Sequence, residues 1–187
     1  GESGGATLLH PLRIGALARE VDLDESAVVR ERYPLIADAT RVIADPIVRN
    51  LATVAGNLAH GDPANDHPAV MLALGAEVTA TGPAGERRIP ISSFFTGPFE
   101  SALGSQELLT EIRVPKVEGG RYLKHVRRQQ DWATVAVAAV RMNGGVHVGL
   151  AGMGATPLRA HAVEQAVAGG ALPADAAAHA VEGTEPP

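Results

Sequence analysis

The eighteen residues ATVAGNLAHGDPANDHPA, from Ala52 to Ala69, concentrate most of the groups in this chain that could do chemistry. His60, Asp62, Asp66 and His67 offer two imidazoles and two carboxylates within eight residues. One metal ion would need them to converge at about 2.0–2.2 Å. Their spacing matches no metal-ligand motif, and Pro63 and Pro68 stiffen the backbone between them, which makes a metal centre the weakest reading. An anion site has a better basis. The small residues from Ala52 to Asn57 let successive backbone N–H groups approach a pyrophosphate, and Thr53 and Asn57 add side-chain donors. Gly, Asn and Thr are also ordinary turn residues, so spacing alone leaves a phosphate cradle and a plain turn both open.

The elements that must position these residues follow from composition and pattern. At 187 residues and 45% hydrophobic, the chain can bury a core as one domain or two small ones. Sixteen Lys plus Arg against twenty-one Asp plus Glu give a net charge of −5 with no basic run, which argues against nucleic acid as a partner. No apolar segment reaches the roughly 18–20 residues of a spanning helix, and the N-terminus lacks a signal-peptide layout, so the expectation is a cytoplasmic protein. The absence of cysteine excludes disulfides, thiol nucleophiles and cysteine-ligated iron–sulfur clusters within this chain. Any redox cofactor is then organic, or a metal held by His and carboxylates. GESGGATLLH opens without an initiator Met and VEGTEPP closes as a linker-like tail, which reads as part of a longer protein.

LRIGALA predicts a short strand running into a helix. Ser26 is placed to cap AVVRERY, a new helix starts at Pro34, and Asp45-Pro46 ends it. The stretch after it is expected to be an irregular loop, with several N–H groups of Thr53–Asn57 free, and Pro68–Leu74 to be helical. AEVTAT and ERRIPI flank Gly82–Gly85 as a hairpin, and ELLTEIRVP is a further strand. Phe94, Phe95 and Phe99 are most simply core. Val117–Gly120 divides the chain into units 1–117 and 118–187. The second unit should hold three antiparallel strands, a helix capped by Thr156 with Pro157 at its first position, and a last helix from Pro173 to Glu182. Without regular βαβ alternation, the expected class is α+β.

TVAGNLAHGDPANDHPA, preceded by ADPIVRN and followed by LALGAEV, resembles the flavin-binding subunit of the molybdenum hydroxylases, the medium-subunit family of carbon monoxide dehydrogenase. Xanthine dehydrogenase carries a related domain. GPAGERRIP, FFTGPF, ELLTEIRVP and YLKHVRRQQDWA continue the resemblance from Leu12 to Gly169. It implies the second subdomain of a vanillyl-alcohol-oxidase-type FAD-binding domain, followed by a small C-terminal domain of a sheet and helices. The implied activity is that of an FAD-dependent oxidoreductase subunit passing electrons from a [2Fe-2S] subunit through FAD to a terminal acceptor. The implied partners are that subunit and a molybdenum-cofactor large subunit; the alternative is a truncated homologue serving as an interaction module. The resemblance places a pyrophosphate loop on Thr53, Val54, Ala55, Gly56 and Asn57, with Ala55 where the family usually has glycine. It assigns flavin contacts to Asp66, Leu109, Lys124 and Trp132, and no catalytic residue or metal ligand. The family's first FAD subdomain is expected upstream. Gly4–Leu9 faintly echoes its Gly-rich loop and reads as a turn.

Overall fold

The computed structural model describes residues 11–186, so the Gly4–Leu9 turn lies outside the described residues. The chain enters on β1 (Leu12–Gly15) and continues through α1 (Glu20–Glu25), α2 (Ala27–Arg32), α3 (Pro34–Val42), α4 (Pro46–Arg49), α5 (Val54–His60) and α6 (Asp66–Leu74). Side-chain oxygens start three of these helices: Ser26 accepts from the Val29 N–H, Asp45 from Val48 and Thr53 from Gly56. Pro34 and Pro46 stand in first turns, where the missing N–H costs nothing.

The stretch from Ala52 to Ala69 is therefore two helices rather than an irregular loop. Thr53 caps α5, and Gly61, at φ 67°, ends it in the left-handed region. Gly75, at φ 61°, does the same for α6. The expected free N–H groups are also corrected. The Val54 N–H bonds the Ala18 carbonyl, Gly56 bonds Thr53 Oγ1 and Asn57 bonds the Thr53 carbonyl. Ala55 is buried and has no positive φ. Thr53→Ala is expected to lower stability by about 1 kcal/mol in urea denaturation, with Thr53→Ser close to the native protein.

A first antiparallel sheet follows, built from β2 (Glu77–Gly82), β3 (Gly85–Pro90) and, after the small ribbon β4 (Phe95–Gly97) and β5 (Glu100–Ser101), β6 (Leu108–Val114). Its order is β1-β6-β2-β3. Phe94 is fully buried, but Phe99 sits at φ 58° and is 59% exposed, so it is a turn residue and not core. The second sheet comprises β7 (Gly119–His125), β8 (Val135–Met142), β9 (Gly145–Ala151) and β10 (Leu158–Arg159) in the order β10-β9-β8-β7. Asn143 and Gly144, at φ 53° and 75°, make the tight β8–β9 turn. β10 is a fourth strand where three were expected. Leu158 and Arg159 pair with Leu150 and Gly149, and the Ala160 N–H bonds the Val148 carbonyl. Pro157 therefore precedes a strand, and α7 (His161–Ala168) starts later than Thr156. α8 (Pro173–Ala177) ends early and passes into a 3-10 turn, Ala178–Val181, so the tail is not one helix to Glu182.

Every residue of α6 is buried. A helix with no polar face belongs in a protein interior, and α6 packs on β8 and β9 while α3 packs on β7. Gly149 permits the α6 contact: a Cβ there would lie 2.1 Å from the Ala69 carbonyl oxygen. One core therefore joins residues of both sheets. The first turn of α6 lies where the two halves meet.

Candidate functional site

Tyr122 and Lys124 are two apart on β7 and share a face. That face meets Asp66. Tyr122 Oη donates to Asp66 Oδ1 at 2.5 Å, and Lys124 Nζ donates to Asp66 Oδ2 at 3.0 Å and to the Val42 carbonyl at 3.3 Å. The charged side chains are 7% exposed for Asp66 and 5% for Lys124. Burial pushes the Asp66 carboxyl above its ordinary range, against the opposing pull of the Lys124 ammonium, the Tyr122 hydroxyl and His67. Burial, then the Asp66 charge, pushes the Tyr122 phenol up, so it stays a donor.

Asp66 and Lys124 line a cavity of about 170 Å³ together with Asn57, Asn65 and Trp132, against an apolar wall that includes Ile43 and Val48. Asn57 Oδ1 is a buried acceptor with no partner among the described residues. Trp132 lies on the excursion between β7 and β8, which the Thr134 N–H closes onto the His125 carbonyl at 3.0 Å. Trp132 itself is 64% exposed. Gln130, two residues earlier, holds φ 66°, an uncommon conformation for a residue with a Cβ. Trp132 also lines a second cavity of about 540 Å³ with Pro63, Arg127 and Met153. A whole small-molecule ligand occupies roughly 300–1,000 Å³, so the smaller cavity suits one segment of a long ligand.

The structure thus brings Asn57, Asp66, Lys124 and Trp132 together, although up to 75 positions of sequence separate them. It does not bring the whole set. Val54 and Ala55 are buried in the core, Leu109 is a buried residue of β6, and Thr53 and Gly56 begin α5 without lining this cavity. The remaining groups of the opening stretch disperse. His60 meets the Phe99 ring edge-on, Asp62 accepts from the Ala64 N–H, and His67 turns inward to Glu20. Sequence reasoning missed Tyr122 as a partner of Asp66, although its spacing from Lys124 was the available signal. Glu20 carried none, because it is 47 residues from His67.

Helices, sheet and junctional cavity together define a class. The chain belongs to the family of FAD-binding domains in molybdopterin dehydrogenases, whose family model matches residues 9–117. The model for the C-terminal domain of CO dehydrogenase flavoproteins matches residues 121–185. The chain is 41% identical over 154 residues to the carbon monoxide dehydrogenase medium chain of Hydrogenophaga pseudoflava, covering 78% of this chain and 54% of that one. It is 37% identical to the glyceraldehyde dehydrogenase medium chain of Sulfolobus acidocaldarius, covering 87% and 60%. The solved carbon monoxide dehydrogenase of Hydrogenophaga pseudoflava superposes with a TM-score of 0.87 at 41% identity, covering 94% of this chain and 65% of that chain. The chain thus spans 54–60% of the length of these curated relatives. No described helix is long and apolar enough to cross a membrane.

Proposed function

We propose that this chain is the FAD-binding, electron-transfer part of a cytoplasmic molybdenum hydroxylase of the carbon monoxide or xanthine dehydrogenase type. In that reading a [2Fe-2S] subunit delivers electrons, a molybdenum-cofactor subunit performs the hydroxylation, and a terminal acceptor collects the electrons here. FAD, when bound, supplies the redox chemistry. We place the division of the chain at residues 117 and 118, with the site between the two parts.

The observation that carries the reading is the unpartnered Asn57 Oδ1 in a residue lining a junctional cavity with Asp66 and Trp132. An acceptor left without a donor in a buried position costs stability, and a ligand bearing hydroxyl or ring N–H groups relieves it. FAD has both. Asn57 and Asp66 then accept from the ligand, Lys124 holds Asp66 in place, and Trp132 offers a flat ring for stacking. The family resemblance also implies a pyrophosphate contact at Thr53–Asn57, where the Val54, Gly56 and Asn57 N–H groups already have partners within the chain. None of these residues needs to exchange a proton in a catalytic step.

Trp132 is the sole tryptophan, which makes the test direct. Adding FAD should quench its fluorescence saturably and perturb the flavin absorption band. Asp66→Asn and Asn57→Ala should weaken the quenching without altering the far-UV spectrum. FAD that neither quenches Trp132 nor changes its own spectrum would overturn the reading and favour an interaction module.

A further inference from the structure

Glu20 and His67 are both 0% exposed, and Glu20 Oε2 lies 2.7 Å from His67 Nε2. Their charges and hydrogen bonds are held wholly inside the protein. Glu20 Oε1 and His67 Nδ1 have no partner among the described residues. A buried pair with two unmet atoms is a poor source of stability, since apolar side chains of similar volume often do as well. Its value must be sought in what it holds.

It joins three segments, two of which carry lining residues of the cavity. Glu20 opens α1, and its N–H bonds the carbonyl of Ala52, a lining residue. The same backbone pairing continues through the Arg19–Thr53 bridge and the Val54 N–H to the Ala18 carbonyl. From there the Glu20 side chain reaches His67, the immediate neighbour of Asp66 on α6. The wall carrying Ala52 and Asn57 is thus tied to the wall carrying Asp66 through one buried contact.

We propose that the buried Glu20–His67 pair is the positioning element of this site, fixing the first turn of α6 against the 52–57 segment so that the Asp66 carboxylate stands ionised on the cavity wall. The inference rests on the FAD reading for the identity of the ligand, but not for the coupling itself. Glu20 and Asp66 both hold His67 toward its cationic form, against the burial that opposes it. They are the charged groups acting on it among the described residues. The positive end of the pair lies next to Asp66 and draws its carboxyl back toward ionisation. Glu20 and His67 do not touch the ligand. They act through Asp66.

Carbon-13 and nitrogen-15 NMR of the full chain without FAD gives the first readout. Its His67 ring should stay protonated on both nitrogens to higher pH than the exposed histidines, and a ring that titrates with the exposed ones would overturn the proposal with no substitution made. In Glu20→Gln the Asp66 carboxyl carbon should titrate about one pH unit higher; an unchanged midpoint would overturn the coupling. With FAD as the probe, Glu20→Gln should weaken Trp132 quenching about tenfold, and Glu20→Gln with Asp66→Asn should bind no more weakly than Asp66→Asn alone. Additive losses would mean that Glu20 acts through the fold and not through Asp66. If the native chain binds no FAD, the flavin reading fails, while the two NMR titrations still decide whether the pair governs Asp66.

Discussion

Gly149→Val is expected to abolish cooperative folding, or to lower stability by about 3 kcal/mol or more in urea denaturation. The cause is distance. A Cβ at residue 149 would lie 2.1 Å from the Ala69 carbonyl oxygen and 3.3 Å from the Ala73 nitrogen. Both are backbone atoms of α6, so no side-chain rotation relieves the overlap, and close-packed interiors transmit such strain instead of absorbing it. Either α6 lifts from β9 or the sheet bends away. Gly119→Ala is the control, because a methyl there meets nothing within 4 Å and the residue has no positive φ. Its denaturation midpoint should stay near the native value. A normal midpoint for Gly149→Val would mean that α6 does not sit on β9 as described.

Lys124→Met is expected to cost about 3 kcal/mol at pH 8, because it leaves the Asp66 carboxylate buried without its cation. The loss should shrink as the pH falls. Burial already raises the folded Asp66 carboxyl above its ordinary value of 3.8. A carboxyl raised in this way favours folding most below that ordinary value and loses that contribution as the pH rises through the folded one. Removing the ammonium raises the folded value further. The variant therefore approaches native stability in acid, where Asp66 is protonated, and falls behind as the pH climbs. Urea denaturation at pH 5 and pH 8 reads the difference, and an equal loss at both would show that Lys124 contributes packing alone.

Much of this architecture was legible because local signals and tertiary packing agree. The helix from Pro34, the Gly82–Gly85 hairpin and the Asn143-Gly144 turn each carry a proline, glycine or asparagine where the backbone needs it. The failures share a physical cause. Gly, Asn and Pro between Ala52 and Ala69 look like loop formers, yet here they cap, end and begin helices. Thr156-Pro157 has the form of a helix start, but pairing with β9 wins over that local preference. For the site, the family motif pointed to Asp66, Lys124 and Trp132, which the fold gathers at one cavity. Pairings over 47 and 56 residues, Glu20 with His67 and Tyr122 with Asp66, leave no periodic trace, so only the folded chain displays them.

The position of α3 and α6 has a consequence for how this chain can be divided. Both helices precede residue 117, yet their apolar faces are covered by strands that follow it. The point at which the two sequence families meet is therefore not a point at which the polypeptide can be cut. Separated there, the N-terminal piece would carry two greasy helices stripped of the strands that cover one side of each, and the C-terminal sheet would show a bare apolar face. Each piece serves as the other's interior, so recombination with a relative must exchange these helices together with the strands they cover.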